Sequence, residues 1–287
     1  MATNAEPTPP PHLTGEDLTG ELEVVGRISG SSNLAVLARL LPAGGAADDD
    51  DDVGDGAAPV HVIYKPVRGE RPLWDYPDGT LAGREVAAAV VSELGGWHLV
   101  PPTVLRDGPL GPGSVQLWIG DPYEPLADDV VVDLVPEGRT PPGWHEVIDG
   151  ETPGGSAVTV VHSGADDVRS LAVLDAAINN SDRKGSHCLR DRSGRLWAID
   201  HGVSLSAEPK LRTVLWGWAG ERLPEAELER LERLLDVLAT PEGTERLGAL
   251  LPEHDVAALV ARVDRLLRVG IHPHPSPGWP AVPWPPL

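Results

Sequence analysis

In this 287-residue chain, the clearest indication of catalytic chemistry is the spacing of two aspartates on neighbouring loops. Asp182 lies within residues 179–187, and Asp200 follows a short hairpin. Phosphoryl transfer needs one carboxylate to orient the attacking hydroxyl and another to hold the metal that neutralises the triphosphate. The spacing of the two aspartates fits that division of roles. The alternative is that both only form turns, because Asp is common in loops.

The two loops resemble those of the phosphatidylinositol 3-/4-kinase-like branch of the protein-kinase-like fold. In that branch a D-R-x-x-x-N catalytic loop precedes a D-x-G metal motif, and the matching residues run from Asp182-Arg183 to His187 and then over Asp200-His201-Gly202. The chain is more closely similar to a family of kinase-like proteins found mostly in actinobacteria. The resemblance implies an α+β, two-lobed fold, with a β-rich N-lobe, a mainly helical C-lobe and an ATP cleft between them.

The resemblance also implies roles for the loop residues. Asp182 would orient the acceptor hydroxyl, while Arg183 and Lys184 would pair with the γ-phosphate or an acidic substrate. Their positive charges have a second interpretation, as compensation in a strongly acidic protein. Asp200 would hold Mg²⁺ or Mn²⁺. His187 stands where the pattern has a metal-binding Asn, and it is either a second ligand or a histidine bonded to backbone at a strand start, since these ions prefer oxygen donors.

A lysine and a helix acid complete the expected nucleotide site. Lys65 ends a short β-branched strand and is one of three lysines in the chain. The resemblance implies that it contacts the ATP phosphates as a point charge. Glu85 shares a helix face with apolar residues, which favours an ion pair with Lys65. The alternatives are that Glu85 is a solvated acid near the helix N-terminus, or that Glu93 takes its place.

Two further segments are assigned to ATP by their order in the chain. The turn at Gly30, Ser31, Ser32 and Asn33 lies between the first two strands, where backbone N–H groups of this fold cover the phosphates. By itself it is only a polar hairpin turn. Residues Gln116, Leu117 and Trp118 end the fifth strand, where backbone groups would pair with adenine. Trp118 either borders the base or belongs to the core.

Composition excludes several other classes of protein. The formal net charge of −21 argues against nucleic-acid binding and against docking on an anionic membrane. A single cysteine excludes an intrachain disulfide framework and fits a reducing compartment. No apolar run approaches the length of a membrane-spanning helix. We therefore expect a cytoplasmic protein without membrane insertion or nucleic-acid partners. We also expect a monomer, with a homodimer left open.

The elements that must position these residues can be read from periodicity. Residues 1–14 are expected to be a tail, and residues 15–120 an N-lobe of about five strands and one helix (Leu81 to Leu94), with an acidic loop at 44–58. Residues 121–269 form the C-lobe, of which 121–163 are interpreted as irregular and the remainder as mainly helical. Residues 270–287 are interpreted as a tail rich in Pro and Trp, whose Trp279 and Trp284 could attach it to the body.

Three functions compete on this evidence. The favoured one is an ATP-dependent phosphotransferase that acts on a hydroxyl of a protein or a soluble small molecule, with adenylyl transfer by the same residues left open. The second is a non-catalytic nucleotide-binding module in which His187 marks lost metal affinity. The third is a metal-dependent hydrolase built from Asp182, His187, Asp200 and His201. It is disfavoured because no histidine cluster of metal-ligand spacing occurs there.

Overall fold

The first strands form one antiparallel sheet in the computed structural model, which describes residues 14–30, 33–41, 60–71, 73–76, 81–124, 126 and 129–287. The sheet has the order β1-β2-β3-β5-β4. Its strands are β1 (Glu21–Arg27), β2 (Val36–Leu41), β3 (Val60–Pro66), β4 (Thr103–Gly108) and β5 (Gly111–Leu117). Alternate residues of β2 and β3, among them Ala38, Val62 and Tyr64, are buried in a small core on one face of the sheet. The other face is left for the helix that follows.

Helix α1 (Leu81–Leu94) packs against β4 and β5. Its observed bounds are those expected, and it ends where Gly96 adopts a positive φ of 80°. Most of its first eleven residues are buried, including the charged Arg84 and Glu85. A helix buried on nearly all sides therefore carries two ionised side chains into the interior, and both need partners there.

A second antiparallel sheet replaces the irregular region expected at 121–163. It has the order β6-β8-β7, with β6 (Val132–Pro136), β7 (Trp144–Glu151) and β8 (Ala157–Ser163). Glycines with positive φ at 138, 143 and 155 make the turns and breaks that separate its strands. A register shift between Glu146 and Ile148 also interrupts the alternation along β7. These interruptions explain why the pattern did not indicate a sheet.

The remaining elements are mainly helical, as expected. They are α2 (Asp166–Ile178), the hairpin of β9 (Cys188–Arg190) and β10 (Leu196–Ala198), α3 (Glu225–Leu238), α4 (Pro241–Gly248) and α5 (Glu253–Val269). The largest apolar core lies among α1, α2, α3 and α5. Mixed helices and antiparallel sheets confirm the α+β class. Within the described ranges, no helix has the length and apolar character needed to cross a membrane.

The C-terminal segment lies against the body of the protein. Pro283 and Pro286 are buried, and Val282 packs against the large core. The backbone carbonyl of Pro286 accepts a hydrogen bond from the N–H of Gly185 at 2.8 Å. Of the other predicted segments, residues 1–13 and the acidic loop at 44–58 lie outside the described residues.

Candidate active site

Lys65 lies at the point where the sheet, helix α1 and the loop after β10 meet. Because side chains alternate along β3, Lys65 lies on the face opposite the buried Tyr64. Its Nζ forms an ion pair with Glu85 and a second one, at 2.8 Å, with Oδ1 of Asp200. The Lys65–Glu85 pair expected from the sequence is therefore present, and Asp200 joins it from a distant part of the chain.

The charges of this triad depend on one another. Burial alone would lower the pKa of Lys65, but Glu85 and Asp200 outweigh it and raise that pKa above its usual value. The positive charge of Lys65 holds the pKa of Asp200 well below its usual range. Burial raises the pKa of Glu85, and Lys65 opposes this shift. The second oxygen of Glu85 accepts a hydrogen bond from the N–H of His201 at 2.9 Å, which fixes the Asp200 loop to α1.

Asp200 also pairs with His187 beside the triad. His187 Nε2 lies 3.3 Å from Asp200 Oδ2, and Asp200 has a left-handed backbone conformation with a φ of 62°. Burial lowers the pKa of His187, although Asp200 opposes this shift, so the imidazole is neutral near pH 7 and can donate a lone pair. Its buried Nδ1 has no hydrogen-bond partner among the described residues.

These donors fit a metal ion only in part. Within the ranges that the structure describes, no group of three or more His, Cys, Asp or Glu side chains could enclose an ion. Mg²⁺ is commonly held by one or two carboxylates together with substrate phosphates, and it keeps several waters. One carboxylate with an adjacent neutral imidazole therefore fits an ion that arrives with a nucleotide, and does not fit a permanent protein cage.

Asp182, on the loop next to that of Asp200, lies between the side chains of Arg212 and Lys184. Its Oδ1 accepts a hydrogen bond from Arg212 Nη2 at 3.0 Å, and its Oδ2 is 3.3 Å from Lys184 Nζ. Its backbone N–H donates to the side chain of Asn180 at 3.0 Å. About a quarter of each of the Asp182 and Lys184 side chains is accessible, which leaves both able to meet a substrate.

Arg183 is buried and not available to a substrate, and this corrects the role expected for it. Its side chain is fully buried and makes two hydrogen bonds of 2.9 Å with the carboxylate of Asp175 on α2. It also donates to the carbonyls of His187 and Ile199, at 3.2 and 2.9 Å. All of these partners are internal, so Arg183 ties the Asp182 loop to the Asp200 loop and positions both.

His201 is also committed to the interior. Its Nε2 lies 2.7 Å from Arg183 Nη2, and burial next to that guanidinium lowers the pKa of the imidazole well below its usual value. The neutral ring therefore accepts the hydrogen bond from Arg183. A side chain buried in this way is not available to a metal ion that substrate could reach, which weakens the hydrolase interpretation.

The expected phosphate turn is only partly described. Gly30 has a φ of 84°, and Asn33 accepts a hydrogen bond from the N–H of Arg71 at 2.9 Å. Asn33 thus attaches the turn to the segment that follows Lys65. Ser31 and Ser32 lie outside the described residues. No hydrogen bond or ion pair joins the described part of the turn to Lys65, so its role toward phosphate stays a prediction.

The segment expected to pair with adenine has its N–H groups already bonded within the protein. Gln116 is buried in the sheet, where its side chain donates to Thr103 at 2.8 Å. The N–H groups of Leu117 and Trp118 donate to the carbonyls of Pro102 and His61, both at 2.9 Å. A base at this strand end would need carbonyls of the segment or N–H groups beyond Trp118. The half-buried Trp118 side chain can border it.

Three residues that bond to Asp182 or Arg183 were missed from the sequence: Asp175, Asn180 and Arg212. Asp175 falls within a helix of otherwise apolar spacing, and a buried acid there was the available signal. Asn180 lies just past the end of α2, where an asparagine is typical of a helix end, so its residue type gave no sign of a bond to Asp182. Arg212 belongs to a stretch without a motif, and its distance from Asp182 along the chain gave no reason to connect the two.

Comparison with known proteins shows a relative along nearly the whole chain. Protein Rv2133c of Mycobacterium tuberculosis is 41% identical over 271 residues, which cover 93% of this chain and 92% of that protein. This relative is actinobacterial, as the resemblance implied. No protein-family model matches the chain. The crystal structure of the Helicobacter pylori proinflammatory kinase CtkA covers 88% of this chain and 93% of its own, with 12% identity and a TM-score of 0.40. A TM-score of this size establishes neither a common fold nor a common activity.

Proposed function

The chain belongs to the family that includes protein Rv2133c of Mycobacterium tuberculosis, and we propose that it is an ATP-dependent phosphotransferase with a kinase-like fold. The acceptor would be a hydroxyl group of a protein or a soluble small molecule. A phosphoinositide acceptor is disfavoured because the net charge of −21 opposes approach to an anionic membrane. The protein would act in the cytoplasm as a monomer.

The observation that carries the proposal is the ion-paired triad of Lys65, Glu85 and Asp200. A lysine held by one buried acid and one exposed acid presents a fixed positive charge beside a carboxylate of very low pKa. Phosphoryl transfer depends mainly on positioned charges of this kind, which bind the phosphates and neutralise the charge that develops on them. The half-buried Lys184 adds a second cation next to Asp182.

Each residue has a defined task in the proposed reaction. Lys65 would bind the phosphates, and Asp200 with His187 would hold a divalent ion, which supplies charge neutralisation when bound with ATP. Asp182 would orient the acceptor hydroxyl and take its proton. The hydroxyl oxygen then forms a bond to the γ-phosphorus as the bond from that phosphorus to the bridging oxygen breaks, and ADP leaves.

The decisive experiment is calorimetric titration of ATP with and without Mg²⁺ or Mn²⁺ on the wild type, Lys65→Ala and Asp200→Ala. We expect metal-dependent binding by the wild type, and at least a tenfold weakening in both variants because each loses a charge in contact with phosphate or metal. Arg268→Ala is the matched control, since its ion pair with Asp264 is largely exposed. Absence of ATP binding by the folded wild type would refute the proposal.

A second candidate is a nucleotide-binding regulatory module without transfer activity. The pairing of a single carboxylate with a histidine, in place of a fuller set of metal ligands, favours it. Metal-independent binding of ATP would support this alternative. Adenylyl transfer would use the same residues, and it is distinguished by whether the label of α- or γ-labelled ATP reaches the acceptor.

A further inference from the structure

Arg212 brings a guanidinium to the expected catalytic aspartate from a segment that has no recognisable motif. Its Nη2 donates to Asp182 Oδ1 at 3.0 Å, and its Nε donates to the carbonyl of Ser181 at 2.7 Å. The planar guanidinium thus binds both the side chain of Asp182 and the backbone of Ser181. Two donors in fixed geometry define an orientation that a single charge would not.

The backbone of Arg212 is itself fixed to the same loop. Its N–H donates to the carbonyl of Asn180 at 2.9 Å, and its carbonyl accepts from the N–H of Arg183 at 3.0 Å. Val214 donates to the carbonyl of Arg183 at 3.2 Å, so the two segments run side by side as a short parallel bridge between Arg183 and Thr213. The backbone of Arg212 is therefore fixed to the loop by hydrogen bonds, and its side chain is fixed by the bond to Asp182.

The other cation at Asp182 cannot supply the same restraint. Lys184 Nζ is 3.3 Å from Oδ2 and is carried on a flexible stem two residues away. A lysine ammonium has no planar fork, and its position is easily adjusted. Lys184 is thus free to follow a phosphate, whereas Arg212 is held in place by its second bond to Ser181.

We infer that Arg212 is a positioning residue, which holds the Asp182 carboxylate in the orientation needed to meet the acceptor hydroxyl. The inference rests on the proposed function, because it assumes that Asp182 is the residue that meets the acceptor. Misplacing a reacting group by about 1 Å can reduce turnover on the order of 100-fold without loss of binding. Arg212 would therefore affect kcat and leave ATP affinity almost unchanged.

The test compares Arg212→Ala and Arg212→Lys with the wild type and with Arg268→Ala as control. The readouts are ATP turnover with water as the acceptor, the KM for ATP, and amide hydrogen exchange in residues 180–187. For Arg212→Ala we expect kcat to fall roughly 10- to 100-fold, with KM within about twofold of the wild type. Added guanidinium ion should restore part of the loss, since it can reoccupy the site next to Asp182. Arg212→Lys should recover less than half of the loss in kcat, because it retains the charge but not the fork.

Each result has a definite meaning. A higher KM with unchanged kcat would overturn the inference, because it would place Arg212 on the nucleotide. Turnover equal to that of the wild type would also overturn it. A folded wild type that binds no ATP would count against the proposed function alone, and the exchange measurement would still decide on the loop. Faster exchange in Arg212→Ala, but not in Arg268→Ala, would support the restraint, and unchanged exchange would refute it.

Discussion

Arg183 shows at the scale of one residue how a buried ion pair can serve a site without touching a substrate. Neither Arg183 nor Asp175 has measurable exposure, so the desolvation penalty of both charges is offset only by their mutual contacts. The guanidinium has further partners in two loop carbonyls and His201. The pair therefore defines the arrangement of the two loops, and its contribution to net stability is a separate question.

Breaking this pair from one side should be strongly destabilising. We expect Arg183→Met to lower the free energy of unfolding by about 3–5 kcal/mol, because it leaves Asp175 charged, buried and without its cation. The double variant Arg183→Met with Asp175→Leu should recover part of that loss, since it removes the remaining charge. Urea unfolding measures both.

The control for this prediction is an exposed pair of the same type. Arg268 and Asp264 lie 2.7 Å apart on the surface of α5, and Arg268→Met should change stability by less than about 1 kcal/mol. An Arg183→Met variant as stable as Arg268→Met would show that the buried pair carries no such penalty. A double variant less stable than the single one would show that the remaining contacts of Asp175, such as its hydrogen bond from Asn180, outweigh the cost of its buried charge.

At the scale of elements, residues 281–287 form a C-terminal strap, which is hydrogen-bonded to the loops of the site. The carbonyl of Ala281 accepts hydrogen bonds from Thr213 N–H at 3.0 Å and from Trp216 Nε1 at 2.8 Å. With the bond between Gly185 and Pro286, three contacts hold the strap to the Asp182 loop and to the segment that carries Arg212. The strap therefore supports both sides of the proposed catalytic residue.

A chain ending at residue 280 should lose this support. We expect its free energy of unfolding to fall by at least about 2–4 kcal/mol, because three hydrogen bonds with a net value near 1 kcal/mol each are lost together with the apolar burial of Val282, Pro283 and Pro286. ATP turnover should fall further than ATP binding. Trp284→Ala is the control, since this side chain is 82% exposed and its removal should change stability by less than about 0.5 kcal/mol. Equal stability of the truncated and full chains would contradict the role of the strap.

Elements with uninterrupted periodicity were the predictable part of the fold. Helix α1 is bounded by apolar spacing and by Gly95-Gly96 and agrees with its expected range. Residues 166–178 carry apolar residues at helical spacing, which predicts α2 with its observed bounds. The sheet of β6, β7 and β8 was not predicted, because glycine turns and a register shift hide its alternation. The short helix α4 was missed for a similar reason, since eight residues give too few turns to show a period.

The site was predictable to the extent that its residues belong to local patterns. The pairing of Lys65 with Glu85 followed from a strand end and a helix face, and the structure contains it. The burial of Arg183 was not predictable, because it depends on Asp175 and on two carbonyls that only the tertiary fold brings together. Arg212 had no local signal, since its contact with Asp182 joins segments 30 residues apart.

At the scale of the whole molecule, two buried histidines couple folding to pH. His162 is completely buried between Trp218 and His145, and His272 is 3% exposed next to Trp218 and Arg169. Burial, with the nearby Arg169, lowers the pKa of His272 to about 4. For His162, burial is the main cause, a hydrogen bond to the Ser163 carbonyl opposes it, and the pKa is also about 4.

The sign of the effect follows from the protons bound in each state. An unfolded histidine has a pKa near 6.5, so between about pH 6.5 and pH 4 the unfolded chain binds protons that the folded chain excludes. The stability contributed by the two neutral rings is therefore complete above about pH 6.5, and it is lost as the pH falls toward 4. For each histidine, the free energy of unfolding should fall by up to about 1.4 kcal/mol for every pH unit by which the pH is lowered in this window.

His272→Gln isolates one of the two contributions. A glutamine amide oxygen can take the place of the ring Nε2 that accepts from Arg169 at 3.2 Å, and it does not titrate. We expect urea unfolding between pH 6.5 and 4.5 to show a pH slope that is smaller than that of the wild type by up to about 1.4 kcal/mol per pH unit. His274→Gln, at an exposed position in the same segment, should leave the slope unchanged. Identical slopes for His272→Gln and the wild type would mean that His272 is already protonated in the folded protein at pH 4.5, and that the acid sensitivity has another origin.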